Sequence, residues 1–298
     1  MNRKIQRMIK NGMPYYMLMP AAVFLFLFLA YPLCYVFRLS MENYNVARLS
    51  QRGFIGFQNF IEIFKKDKVF YQSLEISVKW VLSEVTAQLV LGFWLALLLD
   101  KSFKGRGAAR CLVFLPWAMS GVITAMIWSL IYNQNIGVLN DLFKHLGWIN
   151  KDMAWLANSK TALASCIVAE IWRGIPFFAI TLLASLQNIP PELYEACKVD
   201  GGRPWHEILY IKLPFLKNTI ILTTLLRAVW EFNNVDLLLT LTGGGPSNKT
   251  MTMTMYMTNM AVKNNNYGYG AALAVIAFFI LLLFALIYLK ISNFGKGE

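Results

Sequence analysis

The sequence predicts an all-α fold, a polytopic membrane protein with six transmembrane helices. Hydrophobic residues make up 57% of the 298 positions, charged residues only 15%, and the mean hydropathy is +0.48. Water-soluble domains carry about 25% charged residues. Three runs, 13–37, 111–140 and 264–289, hold no charged residue over 25, 30 and 26 positions. Each run exceeds the roughly 20 residues that cross a bilayer as a helix.

Six spans are predicted, at about 13–37, 72–99, 111–132, 161–187, 218–241 and 268–289, in one membrane domain covering 1–298. The first span follows four basic residues, as the apolar part of a signal peptide does. An apolar signal region has only about 7–15 residues, so a retained first helix is the better interpretation. The second, fourth and fifth spans reach full length only if a few ionisable residues are included.

The distribution of Lys and Arg predicts that both termini are cytoplasmic. Segments 1–13, 100–110, 188–217 and 290–298 hold 14 such residues in 63 positions, whereas 39–70, 133–160 and 242–268 hold 10 in 87. Positive residues are retained on the cytoplasmic side during insertion. The formal charge of +12 is explained by this bias, so we predict no nucleic-acid partner.

No pattern predicts a metal site, a catalytic site or a cofactor in this chain. The cysteines, Cys34, Cys111, Cys166 and Cys197, lack metal-ligand spacing, and His145 and His206 fall on opposite sides of the predicted membrane. Residues 243–250, GGGPSNKT, approach a phosphate-binding loop but lie between two spans. The segment 251–260 alternates Met and Thr; a flexible outer loop or a re-entrant segment packed by Met is favoured over a copper-binding ladder.

The cytoplasmic loop 188–217 predicts two short helices. Pro190 and Pro191 open the first, Gly201 and Gly202 close it, Pro204 opens the second, and Leu213-Pro214 restarts the chain into the membrane. Leu193, Ala196 and Val199 recur at helical spacing and form an apolar stripe on the first helix. Either this stripe packs on helix ends of the same chain or it docks a partner.

This loop resembles the "EAA" loop of binding-protein-dependent ABC importers. The resemblance rests on Glu195-Ala196-Cys197, Asp200-Gly201 and Leu213-Pro214, and is closest to the maltose-type sugar permeases. Cys197 and Gly202 depart from the family's usual Ala. The resemblance implies that an ATPase grips the loop through these residues: Glu195, Ala196, Cys197, Asp200, Gly201, Leu213 and Pro214.

Flanking stretches extend the resemblance over nearly the whole chain: Leu18-Met19-Pro20, Tyr31-Pro32, Gly56-Phe57-Gln58-Asn59-Phe60, Leu115-Pro116-Trp117, Trp128, Trp172, Pro176-Phe177 and 241–246. It implies a bacterial inner-membrane subunit that pairs with a second homologous permease as a heterodimer. Two ATPase subunits would carry the ATP and Mg, and an extracytoplasmic solute-binding protein would deliver the sugar. Lipid would surround the pair.

Charged residues inside the membrane are costly and usually functional. Glu170 and Arg173 are spaced i,i+3, and Arg227 and Glu231 i,i+4, so each pair is also compatible with a structural ion pair within one helix. The resemblance implies a sugar cavity lined by these residues: Glu170, Arg173, Gly174, Phe177, Arg227, Trp230, Glu231 and Asn234. Guanidinium groups bind carboxylates, so an acidic sugar such as a uronate oligomer is one hypothesis.

The predicted function is therefore alternating-access import, in which the chain forms half of a path and catalyses no bond change. The alternative is an ion-coupled secondary transporter that uses the buried Glu and Arg residues as a proton relay. A membrane-embedded enzyme is less well supported, because no nucleophile and base pair is visible in the sequence.

Overall fold

The structure, a computed structural model, describes residues 3–292, with side chains for Met13 and 15–292. The basic side chains of the N-terminal segment and residues 293–298, which entered the orientation prediction, lie outside the described part. The chain forms two compact units, Met1–Asp67 with Met257–Phe278, and Lys68–Tyr256 with Phe279–Glu298. We call them unit 1 and unit 2. The predicted all-α membrane fold is confirmed.

Helices account for nearly all regular structure. In chain order they are α1 (Arg3–Leu25), α2 (Tyr31–Leu39), α3 (Gln58–Lys66), α4 (Lys68–Asp100), α5 (Arg106–Ala118), α6 (Gly121–Ile131), α7 (Val138–His145), α8 (Ala162–Leu186), α9 (Pro191–Val199), α10 (Pro204–His206), α11 (Leu213–Asn233), α12 (Asp236–Leu241), α13 (Met253–Thr258) and α14 (Tyr267–Ile291). Short strands β1 (Glu42–Asn43) and β2 (Gly53–Phe54) pair antiparallel. Among the described residues, five helical stretches are long and apolar enough to cross a membrane.

Unit 1 contains the first membrane helix and, after it, a small cluster of hydrogen-bonded polar side chains. The buried Glu42 carboxylate accepts from Arg38 Nε at 3.1 Å and from Arg52 Nη2 at 3.0 Å. The Asn59 amide donates to the carbonyls of Ser40 and Glu42, at 2.9 and 3.1 Å, and so ties α3 to the end of α2. These two hydrogen bonds explain why the buried Asn59 is needed shortly after Gly56 and Phe57.

Unit 2 is built on the packing of α4 against α8. The core contains Val85, Leu97 and Leu99 of α4 with Phe178, Leu182, Leu183 and Leu186 of α8, and Leu216 of α11. Phe178, Leu182 and Leu186 repeat at helical spacing, which buries one side of α8. Polar residues of α4, including Ser77, Glu84 and Gln88, are buried as well.

The predicted third span, 111–132, is broken in the structure. Helices α5 and α6 meet at a bend of 95° around Met119 and Ser120, which are extended. Pro116 removes a backbone donor inside α5, and the Ser120 hydroxyl then caps α6 by accepting from Ile123 N at 3.3 Å. Six spans are reached only if this bent pair counts as one.

The prediction that Leu213-Pro214 restarts the chain is wrong. A helix runs without interruption from Pro204 through a π turn, Glu207–Lys212, into α11. The wider π turn makes room for the ring of Pro214, which lacks an N–H. The first membrane helix repeats this arrangement, because the π turn Phe26–Ala30 precedes Pro32.

The segment 250–256, TMTMTMY, is buried throughout. The Met253 N–H donates to Ser77 Oγ at 2.8 Å, and Thr254 Oγ1 donates to the carbonyl of Phe232 at 2.7 Å. Met251, Met253 and Met255 therefore pack as core side chains of unit 2. The glycine-rich stretch before them follows the helix α12. A phosphate-binding loop would instead follow a strand.

Candidate functional site: a cavity in unit 2 and an exposed surface of α9

A cavity of about 420 Å³ lies in unit 2 beside the end of α11. Seven residues line it: Trp117, Arg173, Arg227, Trp230, Glu231, Asn233 and Asn234. Its volume is in the usual range for small-molecule sites. The indoles of Trp230 and Trp117 are 49% and 37% exposed, so apolar ring faces lie beside charged and amide groups. Such a lining suits a ligand that carries both ring faces and hydroxyls.

The charged residues behind this cavity form one network. Arg173 binds the Glu170 carboxylate with two parallel bonds, Nε to Oε2 at 2.9 Å and Nη2 to Oε1 at 2.5 Å. Arg227 Nη2 contacts Glu231 Oε1 at 2.5 Å and Glu170 Oε1 at 3.2 Å. The two pairs predicted within single helices both form, and Arg227 also joins α11 to α8.

Gln88 of α4 joins the network, Glu84 of the same helix lies buried one turn before it, and neither was singled out in the sequence. Gln88 accepts from Arg227 Nε at 2.9 Å and donates to the carbonyl of Glu170 at 3.1 Å. Glu84 is fully buried, and within the part of the chain that the structure describes no donor reaches either of its oxygens. The sequence signal that could have identified Glu84 and Gln88 is the presence of a polar residue at each position inside an apolar span.

The eight predicted cavity residues divide into two groups. Five line the cavity: Arg173, Arg227, Trp230, Glu231 and Asn234. Glu170 is fully buried behind Arg173, and a side chain at Gly174 would overlap Gln88 and Arg227. Phe177 supports the wall, since its ring lies 5.5 Å from that of Trp230. Trp117 and Asn233 are the lining residues that the prediction missed.

The helix α9 is closed by two glycines. Gly201 has φ +76°, and the amides of Gly201 and Gly202 donate to the carbonyls of Lys198 and Cys197 at 3.0 and 2.7 Å. This is the Schellman arrangement that ends a helix. A Cβ at Gly202 would overlap both the thiol and the carbonyl of Cys197. The absence of a side chain at position 202 therefore leaves room for the larger side chain at position 197, and these are the two positions that depart from the family pattern.

The apolar stripe of α9 is exposed in the structure. Leu193 is 44% and Val199 87% exposed, and Ala196 lies open between them. Tyr194 instead faces the core, where burial raises the pKa of its phenol and Lys212 Nζ lies 5.5 Å from its ring. The interpretation that the stripe packs on the same chain is therefore wrong. Glu195 and Asp200 are exposed as well, and Leu213 and Pro214 form the first residues of α11.

Comparison with known proteins identifies similar chains over almost the full length. The family described as "Binding-protein-dependent transport system inner membrane component" matches residues 88–293. The "Trehalose/maltose transport system permease protein MalF" of Thermococcus litoralis is 31% identical over 282 residues, which is 95% of this chain and 94% of that protein. The "Sulfoquinovosyl glycerol transport system permease protein SmoG" of Agrobacterium fabrum is 32% identical over 92% of this chain and 88% of that one.

A solved structure shares the fold. It is a crystal structure of a bacterial ABC transporter involved in the import of the acidic polysaccharide alginate, and the match has a TM-score of 0.82. The match covers 97% of this chain and 98% of that one, at 23% sequence identity.

Proposed function

Because the chain belongs to the family of binding-protein-dependent transport system inner membrane components, we propose that it forms half of the membrane path of an ATP-driven carbohydrate importer. It is a permease subunit of an ABC importer and not an enzyme. The observation that carries the carbohydrate assignment is the cavity at the end of α11, in which two exposed indoles lie among Arg, Glu and Asn side chains. The names of the relatives, which include trehalose, maltose and galactooligosaccharides, support it.

The proposed complex contains a second homologous permease, two ATPase subunits that bind ATP and Mg, and a solute-binding protein on the outer side. The exposed stripe of α9 supports docking of an ATPase, because large apolar side chains on a cytoplasmic loop need a partner surface. Both termini and the loop 188–217 would be cytoplasmic. ATP binding would then close the ATPases, and the loop would pass this motion to the helices around the cavity.

An acidic sugar is a narrower proposal that rests on Arg173. The Arg227 side chain is 5% exposed and is held by Gln88, Glu170 and Glu231, whereas the Arg173 side chain is 17% exposed and reaches the cavity. Both guanidinium groups already contact carboxylates of the protein. A uronate ligand would therefore have to share Arg173 with Glu170, and the network offers it no surplus positive charge.

The cavity assignment is tested by exchanging Trp230 for Ala in the assembled importer. We expect carbohydrate uptake into proteoliposomes to fall about tenfold or more, because the most exposed ring face is lost. ATP hydrolysis without sugar should be unchanged. Trp94→Ala is the matched control, since Trp94 is exposed on α4 and does not line the cavity. Carbohydrate uptake by Trp230→Ala equal to that by Trp94→Ala would reject the cavity as the sugar site.

A further inference from the structure

The cavity wall depends on the last turn of α11. Trp230, Glu231 and Asn233 lie in that turn, and Asn234 ends the helix with φ −76° and ψ 120°. The last carbonyls of a helix have no i+4 partner within it; at the end of α11 the N–H of Asn234 reaches the carbonyl of Glu231 at 3.3 Å. Inside a protein these carbonyls need other donors, so whatever supplies them also fixes where the turn lies.

Two buried side chains supply donors to this turn. Trp80 Nε1 on α4 donates to the carbonyl of Glu231 at 3.2 Å, and Thr254 Oγ1 donates to the carbonyl of Phe232 at 2.7 Å. Trp80 is fully buried and Thr254 is 6% exposed. The two bonds therefore hold consecutive peptide groups of the cavity wall from two elements that are distant in sequence.

The two holding elements are also tied to each other. Ser77 lies one turn before Trp80 on α4, and its buried hydroxyl accepts from the N–H of Met253, the residue before Thr254. Ser77, Trp80 and Thr254 thus connect α4, the Met-Thr segment and the end of α11 at one place in unit 2. We call these three residues the clasp.

We propose that the clasp positions the cavity wall and thereby sets how efficiently carbohydrate is moved for each ATP hydrolysed; this inference rests on the proposed function. None of the three clasp residues lines the cavity, so they act through the peptide groups of Glu231 and Phe232. A carbonyl that loses a donor inside the protein is costly. The Glu231 carbonyl would keep its 3.3 Å bond from Asn234 N–H, so the loss of Trp80 Nε1–H loosens that peptide group, whereas the loss of the Thr254 hydroxyl removes the bond to Phe232. Binding groups work only when supporting hydrogen bonds keep them in the productive geometry.

The test compares substitutions that remove only the donor. Trp80→Phe keeps an aromatic ring and removes Nε1–H; Thr254→Val keeps the shape and removes the hydroxyl. We expect the carbohydrate imported per ATP hydrolysed to fall about fivefold or more in each. Thr254→Ser should restore it, and Trp94→Phe, an exposed indole on the same helix, should have no effect. The probe is whichever of trehalose, maltose, galactooligosaccharides or uronate oligomers the wild-type complex imports.

A second readout needs no sugar. In a cysteine-free background, the rate at which a small thiol reagent modifies Asn234→Cys reports the position of the wall, and Trp80→Phe should change that rate several-fold. A clasp with a merely structural role would lower the amount of complex, with uptake and ATPase falling together and the modification rate constant; that result overturns the inference. Unchanged import per ATP in both donor-deleted variants, while Trp230→Ala still abolishes uptake, also overturns it. If the cavity is not the sugar site and the proposed function fails, Trp230→Ala will show normal carbohydrate uptake.

Discussion

Glu170 is the residue on which the two arginines of the network converge. Its carboxylate binds Arg173 through both oxygens and Arg227 through Oε1, and its side chain is fully buried. Removing one partner of a buried ion pair is far more damaging than removing the pair, because the remaining charge is left without compensation. The network is therefore expected to tolerate paired substitutions and not single ones.

The first residue-scale prediction is a double-substitution cycle at Glu170 and Arg173. Glu170→Gln alone should cost about 3 to 5 kcal/mol in thermal unfolding of the purified complex. Glu170→Gln with Arg173→Met should cost less than the single change, because Arg227 keeps Glu231 and no guanidinium is left alone. If the two effects simply add, the residues do not act as a pair.

The same double variant tests the acidic-sugar proposal. It removes the one arginine that reaches the cavity with a partly exposed side chain, without leaving an unpaired charge. Uptake of uronate oligomers should fall about tenfold or more, while uptake of neutral sugars should be unaffected. A uronate uptake equal to that of the wild type would discard the acidic substrate and leave the cavity assignment intact.

The sequence predicted the ion pairs within single helices but not the contacts between helices. Spacing of i,i+3 and i,i+4 identified Glu170 with Arg173 and Arg227 with Glu231, because contacts within one helix follow from its period. Gln88 contacts Arg227 across 139 positions, and Trp117 joins the cavity from α5. Such contacts depend on how helices pack, which one sequence does not encode locally.

At the scale of elements, α9 is a short helix with one half-buried side and one exposed apolar side. Tyr194 packs on the core, and the Schellman turn at Gly201 fixes where the helix stops. Leu193, Ala196 and Val199 are left open for a partner. In the proposed complex, a docked ATPase moves α9, and the motion passes to the continuous helix that follows from Pro204.

We predict that Leu193→Asn with Val199→Asn releases the ATPase without disturbing the permease. Both side chains are exposed, so polar replacements cost the fold little, whereas a docking surface loses its apolar contacts. Co-purification of the ATPase and uptake should both be lost, with membrane levels normal. Lys198→Asn is the matched control, because Lys198 is exposed on α9 outside the stripe. Full ATPase retention in the double variant would refute docking through the stripe.

Apolar runs in the sequence predicted the membrane helices better than the prolines predicted where those helices bend. A long apolar run predicted α14, and apolar stretches that include a few ionisable residues predicted α4 and α8, because length and hydrophobicity suffice to identify a membrane helix. Proline was harder to interpret: Pro116 lies just before a bend of 95°, whereas Pro214 follows a π turn in a continuous helix. The difference arises from how the preceding turn can widen, and composition alone does not specify it.

For the molecule as a whole, the proposed mechanism requires the loop 188–217 to face the cytoplasm. We predict that an Asn150→Cys reporter in a cysteine-free background reacts with an impermeant thiol reagent added outside cells, and that Arg203→Cys reacts only after permeabilisation. Both positions are exposed in the structure, so accessibility depends on the side of the membrane. The charge bias of the loops demands this orientation. The opposite labelling pattern would place α9 outside and exclude an ATPase contact.

In the proposed mechanism, ATP hydrolysed by partner subunits drives carbohydrate through a path that this chain half encloses. The most direct measurement is uptake of labelled carbohydrate into proteoliposomes that contain the two permeases and the ATPases, with the loaded solute-binding protein outside. We predict uptake only when ATP and Mg are enclosed with the ATPase side, and no change when a protonophore collapses any proton gradient. Uptake by this chain without ATPases, driven by an imposed proton gradient and abolished by the protonophore, would contradict the account and support an ion-coupled transporter.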